Sequence, residues 1–380
     1  MIATTLVTLF SSITMAEASG SSTSYLLPSI IISVVTITST FLWPALTRKY
    51  TKKENRIAEA ERIKNYTKYL ERKEKEIKDE HAKETQVLIE NNVSLEDCQQ
   101  IIYNKKRNLW ERDITQKDFL NIRLGIGTIP PSSKIDYEET DFSTDDDYMI
   151  KLLKDMIERN SYLENVPECI SLIKNKISAV IGVPVLTQKF MNSILLQLMT
   201  FHSFIDLKIV IITNQKNSPN WEYCDILPHC WDNQRTFRYI STNIQEATSV
   251  SAELSKIFNS RKTTYEENNK ALQNNKNGEL DKSEAEKAAN SYMEFPPYYL
   301  IIVDDLDIAK HTEIFKDVLE EKINYGFSIM IKNDRISNLP SKCSTFINID
   351  EEKSGLFENE LISSKQKQFK ADINNIVDMY

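Results

Sequence analysis

Between Tyr298 and Val303 six consecutive residues, YYLIIV, are apolar or aromatic, and two carboxylates, Asp304 and Asp305, follow at once. A strand that is apolar on both faces has to be covered on both. Parallel sheets flanked by helices meet that condition. Comparable short runs recur along the chain: ECISLI, ISAVIG, LKIVIIT, FRYIST, GFSIMIKN, TFINID and SGLFEN. Stretches of helical length separate several of them, including LTQKFMNSILLQLMTF, a segment over about 244–259, and one from Asp305 to about Lys322. Strands alternating with helices predict a three-layer α/β domain with a mainly parallel sheet. Upstream, DFLNIRLGIG (118–127) reads as a strand. Residues 145–160 read as a helix whose three leading acids suit the positive end of its dipole. The polar stretch Arg261–Pro297 reads as an insertion with a helical piece over Lys282–Tyr292. KQKQFKADINNIVDMY reads as a final helix.

The N-terminal part belongs to a different solvent. The first basic residue is Arg48, and Tyr25–Leu46 carries no charge. About 20 apolar residues suffice to span a bilayer as a helix. Tyr25 and Trp43 sit near the ends, where aromatics favour the interface, and RKYTKKENR follows at once. The positive-inside rule makes that end cytoplasmic. The opening MIATTLVTLFSSITMA has no basic leader, which counts against a signal peptide, although AEA resembles a cleavage site. It is read as a first membrane helix, truncated at its start and joined to the second through EASGSSTS. From Arg48 to about Asn91, interleaved Lys and Glu without Gly or Pro predict a solvated helical stalk. A second helix is expected from Ser94, with Ser94 as N-cap and Asp97 in its first turn. Trp110 is expected as the packed anchor between stalk and domain.

Carboxylates at the end of an apolar strand resemble the Mg²⁺-holding acid of a nucleotide hydrolase, which acts only beside a phosphate-binding loop. The loop candidate is ISAVIGVPVLTQKFMNSILLQL. Gly182 fits the first glycine of G-x-x-x-x-G-K-[ST]. Thr187 then falls on the second glycine, Gln188 on the lysine and Lys189 on the hydroxyl. Pro184 removes a further N–H from the turn. The architecture of a phosphate site is expected without its chemistry. Gly182, Lys189, Asp304 and Asp305 remain the nucleotide-site candidates. Structural capping by the two acids is the favoured role, and no catalytic residue is assigned. No cofactor is expected; Mg-ATP enters only under an alternative in which a non-standard loop works with a neighbouring subunit's charge.

A net charge of −8 argues against a general grip on nucleic acid. Five scattered cysteines suit reduced thiols in a cytosolic compartment. WEYCDILPHCWD holds Cys224, His229, Cys230 and Asp232, but no C-x-x-C pair supports a zinc site. Aromatic packing of Trp221 and Trp231 is the preferred reading. His202 is expected at a helix end and not as a base.

RNLWERDITQKDFLNIRLGIG, LLQLMTFHSFIDLKIVIIT, ILPHCWDNQRTFRYI, PPYYLIIVDD and NLPSKCSTFINID followed by GLFEN fall in one order. Together they resemble the EssC/EccC-type proteins of bacterial type VII secretion, over roughly Arg48 to Glu360. The resemblance implies FtsK/SpoIIIE-like kinship: two membrane helices, a stalk and a degenerate juxtamembrane ATPase-like domain, followed by further ATPase modules. The chain thus resembles the membrane and juxtamembrane part, as a fragment or split protein. The implied layout is a membrane hairpin over 1–47 (second span 25–46), a stalk over 48–115, an α/β domain over 116–362 and a helix or linker over 363–380. The implied role is structural and coupling, in a multi-pass bacterial membrane protein with its bulk in the cytoplasm. Other membrane subunits, further copies of the chain and downstream ATPase modules are the expected partners, and nucleic acid is not.

Overall fold

The computed structural model describes residues 7, 10–11, 13–15, 26–137, 148–275, 295–358 and 366–373. The side chains of 26–30, 32–33, 37, 39, 41–42 and 269–275 are excepted. They form two compact units, Met1–Asp79 with Ile135–Asn160, and Glu80–Lys134 with Ser161–Tyr380.

Most of the first unit is helix. Helix α1 runs over Leu26–Asn91 and continues into the second unit, with Pro44 inside it. Among the described residues no helix is long and apolar enough to cross a membrane. The expected span 25–46 falls on the start of α1, where Tyr25 and many of the apolar side chains lie outside the described residues. The apolar side chains that are described there, Ile31, Val34, Val35, Trp43 and Leu46, are all more than half exposed. The expected first span, 1–16, lies almost wholly outside the described residues. Further along α1, Glu59–Arg62, Lys73–Glu76 and Glu74–Lys78 pair at helical spacing. Such pairs add only a few tenths of a kcal/mol each.

The second unit holds a ten-stranded sheet. In chain order the strands are β1 (Asn121–Ile129), β2 (Leu163–Ser171), β3 (Ile177–Gly182), β4 (Leu207–Ile212), β5 (Ile240–Ser241), β6 (Tyr298–Val303), β7 (Phe327–Asn333), β8 (Thr345–Ile349), β9 (Ser354–Glu358) and β10 (Lys367–Ala371). Their order in space is β2-β1-β10-β9-β8-β3-β7-β6-β4-β5. The run from β8 to β5 is parallel, and the run from β2 to β8 is antiparallel. The sheet is therefore mixed. Its parallel part contains the strands read as apolar on both faces, and β4 and β6 are buried at every residue.

The helices that supply the covering are α4 (Pro184–Phe201), α5 (Ile244–Asn275), α6 (Leu306–Ala309) and α7 (Glu313–Glu320); α2 (Leu95–Tyr103) packs on the outer side of α4 through Leu196 and Phe201, and α3 (Tyr148–Arg159) belongs to the first unit. On one face Ile209, Ile211, Leu300 and Ile302 share a core with Phe190, Ile194 and Leu198 of α4. On the other, Val210, Ile212, Ile301 and Val303 share one with Val250, Leu254 and Phe258 of α5 and with Phe315 and Val318 of α7. Strand alternation thus divides one sheet between two cores.

Three expectations need correction. The final helix is replaced over 367–371 by β10, which pairs with β1 and β9. Only Phe369 of this strand is buried, so its polar alternation belongs to a sheet and not to a helix face. The polar insertion begins as helix, since α5 continues to Asn275, with Arg261 and Tyr265 buried on it. The helical piece expected over 282–292 lies outside the described residues. Trp110 is not a buried anchor: it is 45% exposed, and its indole N–H donates to the Met199 carbonyl at 3.0 Å.

Arg112 is the buried anchor instead. Its guanidinium donates to the carbonyls of Asn91 (2.6 Å) and Asn121 (2.8 Å), meets Asp118 at 3.1 Å and lies over the Phe201 ring. Arg123, also buried, donates to the Asn92 carbonyl and pairs with Asp372 at 2.7 Å. Two cations thus meet the carbonyl end of α1, where the helix dipole favours them. Ser94 caps α2 as read, accepting from the Asp97 N–H at 3.1 Å.

Candidate functional site

The carboxyl ends of the parallel strands are where ligands bind in open α/β sheets. Here β6 lies between β4 and β7, and β7 separates it from β3. That placement decides the environment of Asp304. Lys332, near the end of β7, is brought between the Gly182 turn and the end of β6. Its ammonium meets Asp304 Oδ1 at 2.5 Å, with the two side chains 9% and 0% exposed. Asp304 Oδ2 accepts from the Thr213 hydroxyl (2.7 Å) and from the Trp221 indole (3.1 Å). Both oxygens of the candidate metal ligand are engaged.

Asp305 does different work. Its Oδ1 accepts from the Ile308 N–H at 3.0 Å and caps α6, and its Oδ2 accepts from Asn214 at 2.7 Å. Gly182 begins the turn into α4 at φ +145°, a conformation that favours glycine. A β-carbon there would stand 2.4 Å from the Ile349 carbonyl oxygen. Close approach to β8 accounts for this glycine without any phosphate. Val183 and Pro184 open the helix, and no side chain caps it.

A cavity of about 410 Å³ lies over this region, lined among others by Gly182, Val185, Gln188, Lys189, Asp304 and Lys332. It brings together three of the four candidates, Gly182, Lys189 and Asp304. Asp305 is not among its lining residues. Gln188, on the position of the missing lysine, is turned inward, and its Oε1 accepts from Lys332 at 2.6 Å. Of the two cations on the cavity wall, Lys332 is committed, held by Asp304 on one side and Gln188 on the other, and Lys189 is the second. Pro184 removes one N–H from the turn, and a metal at Asp304 would have to displace Lys332. Among the described residues no group of three or more His, Cys, Asp or Glu side chains is placed to hold a metal ion.

The sequence reading missed Lys332, Thr213 and Asn214, and it took Trp221 for packing alone. One signal was present. A lysine ending the run GFSIMIK, in a strand otherwise fit only for burial, must find a partner or leave the core.

The segment Trp221–Asp232 closes the neighbouring edge. Trp221, Cys224, His229 and Cys230 are buried. The Cys230 thiol is pushed well above its ordinary value by its hydrogen bond to Cys224 and by burial, the reverse of what a thiolate metal ligand requires. His202 ends α4 as expected. Its Nε2 accepts from the Leu120 N–H at 2.9 Å, so Nδ1 carries the proton and donates to the Leu198 carbonyl. The His229 Nε2–H donates to the His202 carbonyl at 2.9 Å. Burial pushes the His202 imidazole down to about 3 and that of His229 down to about 4, so both are neutral.

No protein-family model matches the chain. Among curated proteins, the type VII secretion system protein EssC of Staphylococcus aureus (strain NCTC 8325 / PS 47) is 24% identical over 339 residues, 88% of this chain and 21% of its own length. The ESX secretion system protein EccC of Geobacillus thermodenitrificans is 20% identical over 332 residues, 86% of this chain and 20% of its own. Among solved structures, the cytoplasmic domain of the Thermomonospora curvata type VII secretion ATPase EccC aligns with a TM-score of 0.43 at 8% identity. It covers 70% of this chain and 28% of that one. The chain spans about a fifth of the length of the curated relatives it matches. Its sequence, matched along nearly its whole length, makes the chain a homologue of the EssC/EccC proteins of type VII secretion.

Proposed function

We propose that the chain is a membrane-anchored structural and coupling component of a type VII secretion machine, with an ATPase-like domain that lacks a working phosphate loop. The observation that carries the second half is the Lys332–Asp304 pair, in which the acid expected to hold Mg²⁺ is already neutralised. Gln188, which replaces the phosphate-loop lysine, holds that cation in place. The homology supports the first half, together with the uncharged run 25–46 and the basic residues that follow it. In this reading residues 1–47 form a membrane hairpin with its second span over 25–46, and 48–115 a stalk. The α/β domain lies in the cytoplasm and extends through β10. Its partners are other membrane subunits, further copies of the chain and ATPase modules.

The test is titration calorimetry of the full chain in detergent with Mg-ATP. No micromolar binding is expected, and Asp305→Asn should leave the result unchanged. The cavity beside Gly182, with Lys189 and Lys332 on its wall, favours one other reading: an active nucleotide site completed by a neighbouring subunit. Micromolar binding abolished by Asp304→Asn would establish that reading in place of the first.

A further inference from the structure

Five basic residues, Arg48, Lys49, Lys52, Lys53 and Arg56, lie within nine positions of α1, directly after the uncharged run. All five are exposed. At about 100° per residue they fall within a sector of about 140° of the helix, with Glu54 on the opposite side. Among the described residues none of the five is in an ion pair. The pairing of Lys and Arg with Glu along α1 begins only at Glu59–Arg62 and continues at Lys73–Glu76, Glu74–Lys78 and Glu80–Lys83. Farther along the stalk four of the cations, Arg62, Lys73, Lys78 and Lys83, are paired with glutamates of the same helix, whereas beside the apolar run none of the five is.

The chain as a whole is acidic, at −8. A local excess of positive charge attracts anions, and its position beside the uncharged run names the source. Helical side chains lean toward the N-terminus, so these five reach back toward Leu46 and Trp43. Long cationic side chains at the end of a spanning helix extend into the headgroup layer. Arg48, Lys52 and Arg56 line one groove along the helix with Thr47, Thr51 and Asn55, and Glu59, which pairs with Arg62, closes its far end. The groove offers point charges and forked donors to a phosphate; the Thr47 hydroxyl is already given to the Trp43 carbonyl at 2.8 Å.

We propose that this collar binds anionic phospholipid headgroups, so that the chain selects phosphatidylglycerol-type lipid around its second span. The proposal rests on the membrane reading of 25–46, and its test separates the two.

The full chain is reconstituted into phosphatidylcholine vesicles, with and without phosphatidylglycerol, either lipid carrying brominated acyl chains that quench nearby tryptophan. The Trp43→Phe chain gives the background. Quenching of Trp43 by both lipids is expected, with an apparent preference for phosphatidylglycerol of about fivefold or more. The triple substitution Arg48→Gln, Lys52→Gln, Arg56→Gln should reduce it to near unity, and 0.5 M salt, a chosen condition of roughly 4 Å screening length, should weaken it. Replacing Lys73, Lys78 and Lys83 by Gln should leave it unchanged. Equal quenching by the two lipids, or a preference that survives the triple substitution, overturns the collar while leaving the span intact. No quenching by either lipid overturns both.

Discussion

Replacing Lys332 by Met isolates the interaction at the end of β6. The substitution keeps most of the side-chain volume and removes the charge. Asp304, whose side chain is fully buried, is then left with two neutral donors, Thr213 and Trp221. Removing one partner of a buried ion pair costs about 3–5 kcal/mol, and the surviving donors place the expected loss toward the lower end. Against a typical total stability of about 5–15 kcal/mol this is a large share. For a unit of this size it corresponds to a fall in melting temperature of about 6–20 °C. Asp304→Asn in the Lys332→Met background removes the stranded charge but keeps an oxygen for Thr213 and Trp221. The double variant should therefore be more stable than Lys332→Met alone, with a coupling of at least about 2 kcal/mol. The assay is urea unfolding of the full chain in detergent, followed by near-ultraviolet circular dichroism, for wild type, both singles and the double. A Lys332→Met chain as stable as wild type, or singles that simply add in the double, would refute the buried pair.

Acid should weaken the fold well above the range where carboxylates titrate. His202 and His229 are held neutral below the unfolded value of about 6.5, so their contribution is complete above pH 6.5. As the pH falls, the unfolded chain takes up protons that the folded chain refuses, and up to about 1.4 kcal/mol per histidine is lost for each pH unit. Urea midpoints at pH 7.0 and 5.0 should differ accordingly, and His202→Gln should flatten the slope; equal midpoints in wild type would disprove it. Gly182→Ala should destabilise by more than about 1 kcal/mol, because a β-carbon meets the Ile349 carbonyl at 2.4 Å with φ at +145°. Thermal denaturation checks this, and a neutral result would show that the turn can relax away from β8.

What could be read from the sequence depended on whether a residue's environment was set by its neighbours in sequence. YYLIIV, apolar on both faces, could only be a covered parallel strand, and β6 is buried throughout. Ser94 with Asp97 is a local cap and formed as one. Lys332 could not be assigned a role, because its meeting with Asp304 depends on β7 lying between β3 and β6. β10 was misread because KQFKA carries few apolar residues. Its strand character comes from its partners, since a β-carbon on Gly125 would stand 2.0 Å from the Lys370 carbonyl oxygen. The pair of glycines in LGIG was the available sign that another backbone passes close by. Residues 261–275 lacked a helical apolar stripe, so the continuation of α5 was read as loop; what holds it includes Arg261, which donates to the carbonyls of Tyr325 and Pro297.

The place of β10 between β1 and β9 also sets an order of events during synthesis. β1 pairs with a strand that lies about 240 residues later in the chain. At bacterial elongation rates of about 5–20 residues per second, roughly 10–50 s pass before that strand leaves the ribosome. Until then the β1–β2 ribbon is an open edge, and Arg123 waits at the end of α1 without Asp372. An edge exposed for that long invites pairing with other nascent chains. The register shifts within β1 and β2, and the two glycines facing the vacant side, make it a poor template for any strand but its own. Strand β10 thus completes the grip of Arg123 on the end of α1.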